Sequence, residues 1–150
     1  MAERVLEMAR YTGGCLCGAL RWEATADPLY AGHCYCADCR KASGSGFIPF
    51  MAFSGAAMTI SGKTLTHRLP LGGGRVATRN SCAACGGLVF GGEVGESTDF
   101  NIYAGSLDDP TQFHPKIAIF TRDRPAWALV PQNLKQFETM PSQEQNERPG

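Results

Sequence analysis

The stretch Gly32-His33-Cys34-Tyr35-Cys36-Ala37-Asp38-Cys39-Arg40-Lys41 places three cysteines within six residues, in the pattern C-x-C-x-x-C. Two more cysteines lie upstream in Cys15-Leu16-Cys17, and the last two lie downstream in Cys82-Ala83-Ala84-Cys85. All seven cysteines of the chain therefore occur in clusters. Such short spacing is typical of metal thiolates, because a tight turn can aim two sulfurs at one ion about 2.3 Å away.

The cysteines divide into a set of four and a set of three. A closed structural zinc site takes all four tetrahedral ligands from protein, whereas a catalytic zinc has three protein ligands and one open position. We therefore predict a structural zinc held by Cys15, Cys17, Cys82 and Cys85. We predict a second, catalytic zinc held by Cys34, Cys36 and Cys39. His33 and Asp38 are the local candidates for a fourth ligand, and either one would make the second site structural as well.

Composition favours one domain in a reducing compartment. The chain has 150 residues, a formal net charge of zero and an isoelectric point of about 6.8, which give no electrostatic footprint for nucleic acid or an anionic membrane. No apolar run has the length of a membrane span, and residues 1–10 do not have the apolar core of a signal peptide. We therefore expect a cytoplasmic protein without nucleic-acid or membrane partners. There, clustered cysteines favour metal binding over disulfides, the alternative for such a pattern.

The rest of the chain is typical of a mainly β protein with short strands. Residues 16–24 alternate in polarity and predict a strand, and similar short runs follow as far as residue 120. We expect turns or loops at residues 11–14 and 41–46, and Pro49 predicts an edge or broken strand. No segment shows a helical period. The predicted domain spans residues 13–134, between a lead-in of residues 1–12 and a polar, disordered tail of residues 135–150.

With these three cysteine blocks, the sequence resembles the glutathione-dependent formaldehyde-activating family, also known as the centromere-protein-V domain. The resemblance runs from about Gly13 to Trp127. It rests on the three cysteine blocks in this order, together with His33, Ser43-Gly44-Ser45, Phe47, Arg79, Gly105-Ser106-Leu107-Asp108-Asp109-Pro110, Pro115 and Trp127. The chain departs from the family pattern at Ala118, where many relatives carry histidine, and in Pro125-Ala126-Trp127, where many read Pro-Trp.

The resemblance implies an Mss4-like β fold, one four-cysteine zinc, one three-cysteine zinc, and a carbon–sulfur lyase of the S-(hydroxymethyl)glutathione synthase type. Its substrates would be a glutathione-like thiol and a small carbonyl such as formaldehyde. Basic residues beside the cysteines are candidates for binding the thiol's carboxylates, and small or aromatic neighbours are candidates for lining the same pocket. These expected substrate contacts are Arg40, Lys41, Ser43, Phe47 and Arg79. The alternative is a non-catalytic zinc domain that binds a thiol or a protein partner.

Overall fold

A computed structural model describes residues 10–141 of the chain. Residues 1–9 and 142–150, which include most of the predicted lead-in and tail, lie outside this range. The fold is mainly β, as the sequence predicts. In chain order, the described strands and α-helix are β1 Tyr11–Gly14, β2 Arg21–Ala24, β3 Tyr30–Cys34, α1 Ala37–Ser43, β4 Ile48–Ser54, β5 Met58–Ser61, β6 Thr64–Gly72, β7 Arg75–Cys82, β8 Leu88–Gly91, β9 Asp99–Tyr103, β10 Ile117–Ile119 and β11 Lys135–Gln136. No helix between residues 10 and 141 is long and apolar enough to cross a membrane.

The described chain forms two compact units, and the first comprises residues 10–29 and 51–113. One antiparallel sheet of this unit has the strand order β1-β2-β5, and a second run of antiparallel pairs has the order β9-β8-β7-β6. The large side chains of Trp22, Phe53, Phe90 and Ile102 are buried here. Burying apolar surface of this size supplies the main stabilisation of the unit.

A polar side chain also lies in the interior of the first unit, two residues before a cysteine. Asn80 on β7 is buried and donates from Nδ2 to the carbonyls of Phe90, at 3.2 Å, and Gly92, at 2.8 Å. Its Oδ1 accepts a hydrogen bond from Thr66 at 2.8 Å. The amide therefore links β6, β7 and β8, and it fixes the strand that carries Cys82.

Two predictions for the start of the first unit are wrong. Residues 11–14, which we expected to form a turn, form strand β1. Gly13 is needed there for close packing and not for a turn, because a Cβ at this position would lie 2.3 Å from the Ser106 carbonyl oxygen. The strand predicted from residue 16 begins only at Arg21, and Leu16 is 90% exposed. A turn that begins at Cys15 replaces the early part of that strand, since the Gly18 amide donates to the Cys15 carbonyl.

The second unit comprises residues 30–50 and 114–141 of the described chain. Strand β10 pairs in parallel with both β3 and β11, and Ala118 lies opposite His33. The hydrophobic core of the second unit contains Tyr35, Ala118, Ala128 and Leu134, with Phe47 and Val130 packed against them.

The second unit differs from prediction at three elements. Helix α1 occupies residues for which we expected a knuckle and a loop. Strand β4 runs through Pro49 without a break, whereas we expected an edge or broken strand there. Pro49 is the second residue of β4, where the loss of one amide donor disturbs few ladder hydrogen bonds. Strand β11 lies within the segment expected to be a polar tail, and the Phe137 amide that follows it donates to Ala118.

Candidate metal centres

Four cysteine sulfurs meet in the first unit. Cys15 and Cys17 lie in the turn after β1, Cys82 ends β7, and Cys85 lies in the turn that follows. All four sulfurs lie within 4.8 Å of one another, with 3.6 Å between those of Cys15 and Cys17 and 3.7 Å between those of Cys17 and Cys82. The structure thus brings together the complete set that the sequence predicts for the first zinc.

The sulfur–sulfur distances fit a tetrahedral zinc. A zinc–sulfur bond of about 2.3 Å corresponds to about 3.8 Å between neighbouring sulfurs of a tetrahedron. The two distances quoted above lie close to this value and are far longer than the roughly 2.0 Å of a disulfide. Every cysteine is a free thiol. The donor set of four thiols therefore fits a closed zinc site.

Backbone amides around the four-cysteine cluster favour thiolates. The Leu20 amide donates to the Cys15 sulfur at 3.3 Å, and this contact lowers the pKa of the Cys15 thiol to about 6. The Gly87 amide likewise lowers the pKa of Cys85. Two amides, those of Ala84 and Cys85, donate to the Cys82 sulfur at 3.3 and 3.4 Å. Because metal binding requires deprotonated thiols, these amides prepare the cluster for a cation.

The other three cysteines meet in the second unit. Cys34 ends β3, Cys36 is the N-cap of α1 and Cys39 lies on its first turn; the three sulfurs lie within 4.8 Å of one another. The Cys36 sulfur accepts the Cys39 amide at 3.1 Å, so the helix start itself fixes two of the three sulfurs. The neighbouring thiols, followed by burial, raise the pKa of Cys34. A divalent cation would relieve this mutual repulsion of thiolates, and the donor set therefore fits zinc as well.

Three thiols alone form the second cluster within the described chain. Neither His33 nor Asp38, our candidates for a fourth ligand, brings an atom within 4.8 Å of all three sulfurs. Asp38 is exposed on α1, whereas His33 is buried. Among the described residues, the arrangement thus offers three thiol ligands to one ion.

An aromatic group fixes His33 beside the second cluster. The His33 ring stacks on Phe47 with 4.3 Å between ring centroids, and its Nδ1 lies 3.3 Å from the Tyr35 hydroxyl. That hydroxyl donates to the Leu129 carbonyl at 2.9 Å. Because its hydrogen is used by a carbonyl, the Tyr35 oxygen accepts from His33, which therefore carries its proton on Nδ1. Burial lowers the pKa of His33, which favours this neutral form.

The expected substrate contacts are distributed over both compact units. Arg40, Lys41 and Ser43 lie on α1 and Phe47 follows it, all in the second unit, whereas Arg79 lies on β7 in the first unit and donates to Tyr103 at 3.1 Å. Ser43 donates to the Cys39 carbonyl at 2.8 Å and accepts the Ser45 amide at 3.1 Å, so its hydroxyl closes the helix end. Tyr35, which links His33 to Leu129, was missed by sequence reasoning. Its place between two metal-ligand candidates was the only signal in the sequence.

Fold and clusters together define a class of protein: a mainly β, zinc-type cysteine domain with one four-thiol and one three-thiol centre. The family model described as "Glutathione-dependent formaldehyde-activating enzyme" matches residues 10–123. The chain belongs to this family, and the resemblance seen in its sequence is confirmed.

Comparison with solved structures supports the fold. The crystal structure of a Rhodobacter sphaeroides protein, a structural-genomics target, aligns with a TM-score of 0.50 and 17% sequence identity. The alignment covers 65% of this chain and 87% of that protein. At this identity the likeness shows the fold alone. No curated protein sequence matches the chain.

Proposed function

We propose that the chain is a zinc-dependent carbon–sulfur lyase that adds a glutathione-like thiol to a small aldehyde such as formaldehyde. Membership of the family supports thiol and aldehyde chemistry in general. The observation that carries the more specific proposal is the three-thiol cluster, which offers an ion three protein ligands within residues 10–141. In this proposal Cys34, Cys36 and Cys39 hold the catalytic zinc, while the four-thiol cluster holds a zinc that stabilises the fold.

The reaction involves no net oxidation or reduction. The thiol sulfur forms a bond to the carbonyl carbon, the carbon–oxygen π bond breaks, and the thiol proton ends on the new hydroxyl. The reverse reaction breaks the same carbon–sulfur bond, which is the sense in which the enzyme is a lyase. Zinc bound at the three sulfurs would supply a site that lowers the pKa of the substrate thiol and holds its thiolate as the nucleophile.

The chain's own residues fix and shield this cluster. Cys34 and Cys39 are 9% and 7% exposed, so little water reaches their sulfurs. Helix α1 begins at the cluster and ends at Ser43, and its C-cap Gly44 has a left-handed φ of 74° that suits glycine. The free thiols in both clusters agree with a reducing compartment such as the cytoplasm, which we retain as part of the proposal.

Cobalt substitution tests this function. With cobalt in both sites, glutathione should strengthen the sulfur-to-cobalt charge-transfer absorption and release a proton. Cys36→Ala should abolish this response while the four-cysteine site keeps its own spectrum. In parallel, the zinc protein should speed the exchange between formaldehyde and S-hydroxymethylglutathione observed by NMR, and Cys36→Ala should not.

Two results would count against the proposal. Cobalt spectra that do not change with any small thiol would show that the three-cysteine site takes no such ligand. A thiol response without faster exchange would instead favour the alternative, a non-catalytic domain that binds thiols.

A further inference from the structure

One buried polar atom in the second unit has no partner. Arg40 Nε is the only buried side-chain nitrogen or oxygen of residues 10–141 that makes no hydrogen bond. No ion pair of the described residues includes Arg40. A buried donor on a charged group is costly when nothing accepts from it, and such atoms call for a specific explanation.

Arginine cannot relieve this cost by losing its proton. Its guanidinium stays charged in proteins, and its N–H groups can only donate. Nothing in the described chain, including the neighbouring cysteine sulfurs, accepts from Nε. Arg40 therefore does not use Nε–H to neutralise the cysteine cluster through a hydrogen bond to sulfur, and the burial of Nε needs another explanation. Nε is enclosed as it lies, but Arg40 as a whole is only half-buried, so that a turn of its side chain would bring Nε–H to an acceptor from outside the chain, for which an anion fits best.

Arg40 is held rigidly beside the second cluster. It follows Cys39 directly on α1, and consecutive Cα atoms lie about 3.8 Å apart. The Arg40 amide donates to the Cys36 carbonyl at 3.0 Å, and its carbonyl accepts the Gly44 amide at 2.9 Å. Both backbone groups of Arg40 are thus fixed by the helix that positions two of the three sulfurs.

The other expected substrate contacts do not share this property. Arg79 already donates to Tyr103, and the Ser43 hydroxyl closes the end of α1. Phe47 is stacked on His33. Lys41 is exposed, where water can satisfy its ammonium group. Among these five residues, Arg40 alone has a buried donor that awaits an acceptor.

We propose that Arg40 binds a carboxylate of the thiol substrate, so that the site selects thiols that carry a carboxylate over those that do not. This inference rests on the proposed function, because it assumes that a thiol is the ligand of the three-cysteine centre. Nε–H and a terminal N–H of arginine match the two oxygens of a carboxylate, which gives a paired, charge-assisted contact. Lysine keeps the charge but cannot form this fork.

NMR of the zinc-loaded protein tests the contact without any thiol chemistry. The Nε–H signal of Arg40, assigned by its loss in Arg40→Lys, should shift when S-methylglutathione is added. This probe has both carboxylates of glutathione but no thiol. An Nε–H signal that does not move at saturating S-methylglutathione would overturn the proposal.

Selectivity in the cobalt protein gives a second test. Arg40→Gln should weaken glutathione binding roughly 10- to 100-fold, the loss expected for hydrogen bonds to a charged group, and leave 2-mercaptoethanol unchanged. Lys116→Gln, which removes an exposed charge from the same unit, should change neither affinity. If Arg40→Gln does not fold, Arg40→Lys takes its place, with the same selective loss expected.

The outcomes separate the two proposals. Equal weakening of both thiols, or no weakening of either, would overturn the role of Arg40 and leave the proposed function intact. A wild-type protein that responds to no thiol would overturn the proposed function, and the S-methylglutathione titration would still decide whether Arg40 binds a carboxylate.

Discussion

At the scale of single residues, Tyr35 connects the core of the second unit to the residue next to Cys34. Its hydroxyl accepts from His33 and donates to Leu129, and its ring lies in the same core as Ala118. Ala118 lies buried opposite His33 and offers it no polar side chain. A polar contact of His33 is instead supplied by Tyr35, which directly follows the end of β3.

Removing the Tyr35 hydroxyl should destabilise the protein. Tyr35→Phe leaves His33 Nδ1 without this partner in a buried setting and the Leu129 carbonyl without it in a partly buried one. We therefore expect the unfolding free energy, measured with denaturant, to fall by about 1–2 kcal/mol. Nitrogen-15 NMR should also show a change in the tautomer balance of His33, because Nδ1–H loses its acceptor.

Tyr11→Phe is the matched control for this prediction. The Tyr11 hydroxyl donates to Asp27 at 2.9 Å in an exposed position, where water can replace the lost donor. Its unfolding free energy should stay within about 0.5 kcal/mol of wild type. Equal effects of the two substitutions, or an unchanged His33 tautomer in Tyr35→Phe, would contradict the hydrogen-bond arrangement described here.

At the scale of elements, the segment Gly105-Ser106-Leu107-Asp108-Asp109-Pro110 fastens the first sheet. Ser106 accepts the Trp22 indole N–H at 3.0 Å and donates to the Tyr103 carbonyl at 2.8 Å. Asp108 accepts from Thr12 on β1 at 2.7 Å and pairs with Arg21 on β2. The segment that contributes to the family resemblance thus binds β1 and β2 together through side chains as well as strand pairing.

Asp108→Asn should therefore loosen this sheet. Hydrogen bonds from Arg21 and Thr12 lower the pKa of Asp108 to about 2. Because its side chain is 45% exposed, solvent screening limits the expected loss to about 1 kcal/mol of unfolding free energy. A carboxylate with a lowered pKa contributes fully above its unfolded pKa of about 4 and loses that contribution only as pH falls toward 2.

The pH dependence and a control make this prediction specific. The loss in Asp108→Asn should be the same at pH 6 and pH 8, because the carboxylate is charged throughout this range. Glu23→Gln, which neutralises an exposed carboxylate on β2, should change stability by less than about 0.5 kcal/mol. A loss that differs between the two pH values would point to another titrating group.

Elements also show what the sequence can and cannot predict. Strands β5 to β10 follow short β-like runs between glycine and proline turns, so pattern alone places them to within a few residues. Helix α1 was missed because seven residues are too few for a helical period and its N-cap is a cysteine, Cys36, rather than a usual capping residue. Gly13 was interpreted as a turn residue, whereas it is required by close packing in β1.

The candidate site also has one part that the sequence predicts and one part that it does not. Cysteine spacing alone gave both clusters, because metal-ligand chemistry restricts which residue types occur at such spacing. The partners of Arg79 and Ser43 and the buried Nε of Arg40 depend on contacts that form only in the folded chain. No pattern in a single sequence encodes those contacts.

At the scale of the whole molecule, each compact unit contains one complete cysteine cluster. An ion held by the four-cysteine cluster would link residues 15 and 85 and so restrain most of the first unit. Structural zinc binds with about 10–16 kcal/mol, which is comparable to the whole stability of a small domain. Loss of the first cluster should therefore cost the fold far more than loss of the second.

Metal analysis of purified protein should find about two zinc ions per chain, one for each cluster. Cys82→Ala leaves three thiols at the closed site, and it should give insoluble or molten protein, because folding of the first unit is coupled to its metal. Cys36→Ala, the same substitution at the other cluster, should give folded protein with about one zinc and a near-wild-type circular dichroism spectrum. Well-folded wild-type protein with a single zinc would sink the two-site scheme, and a folded Cys82→Ala protein would show that the first cluster does not hold the fold.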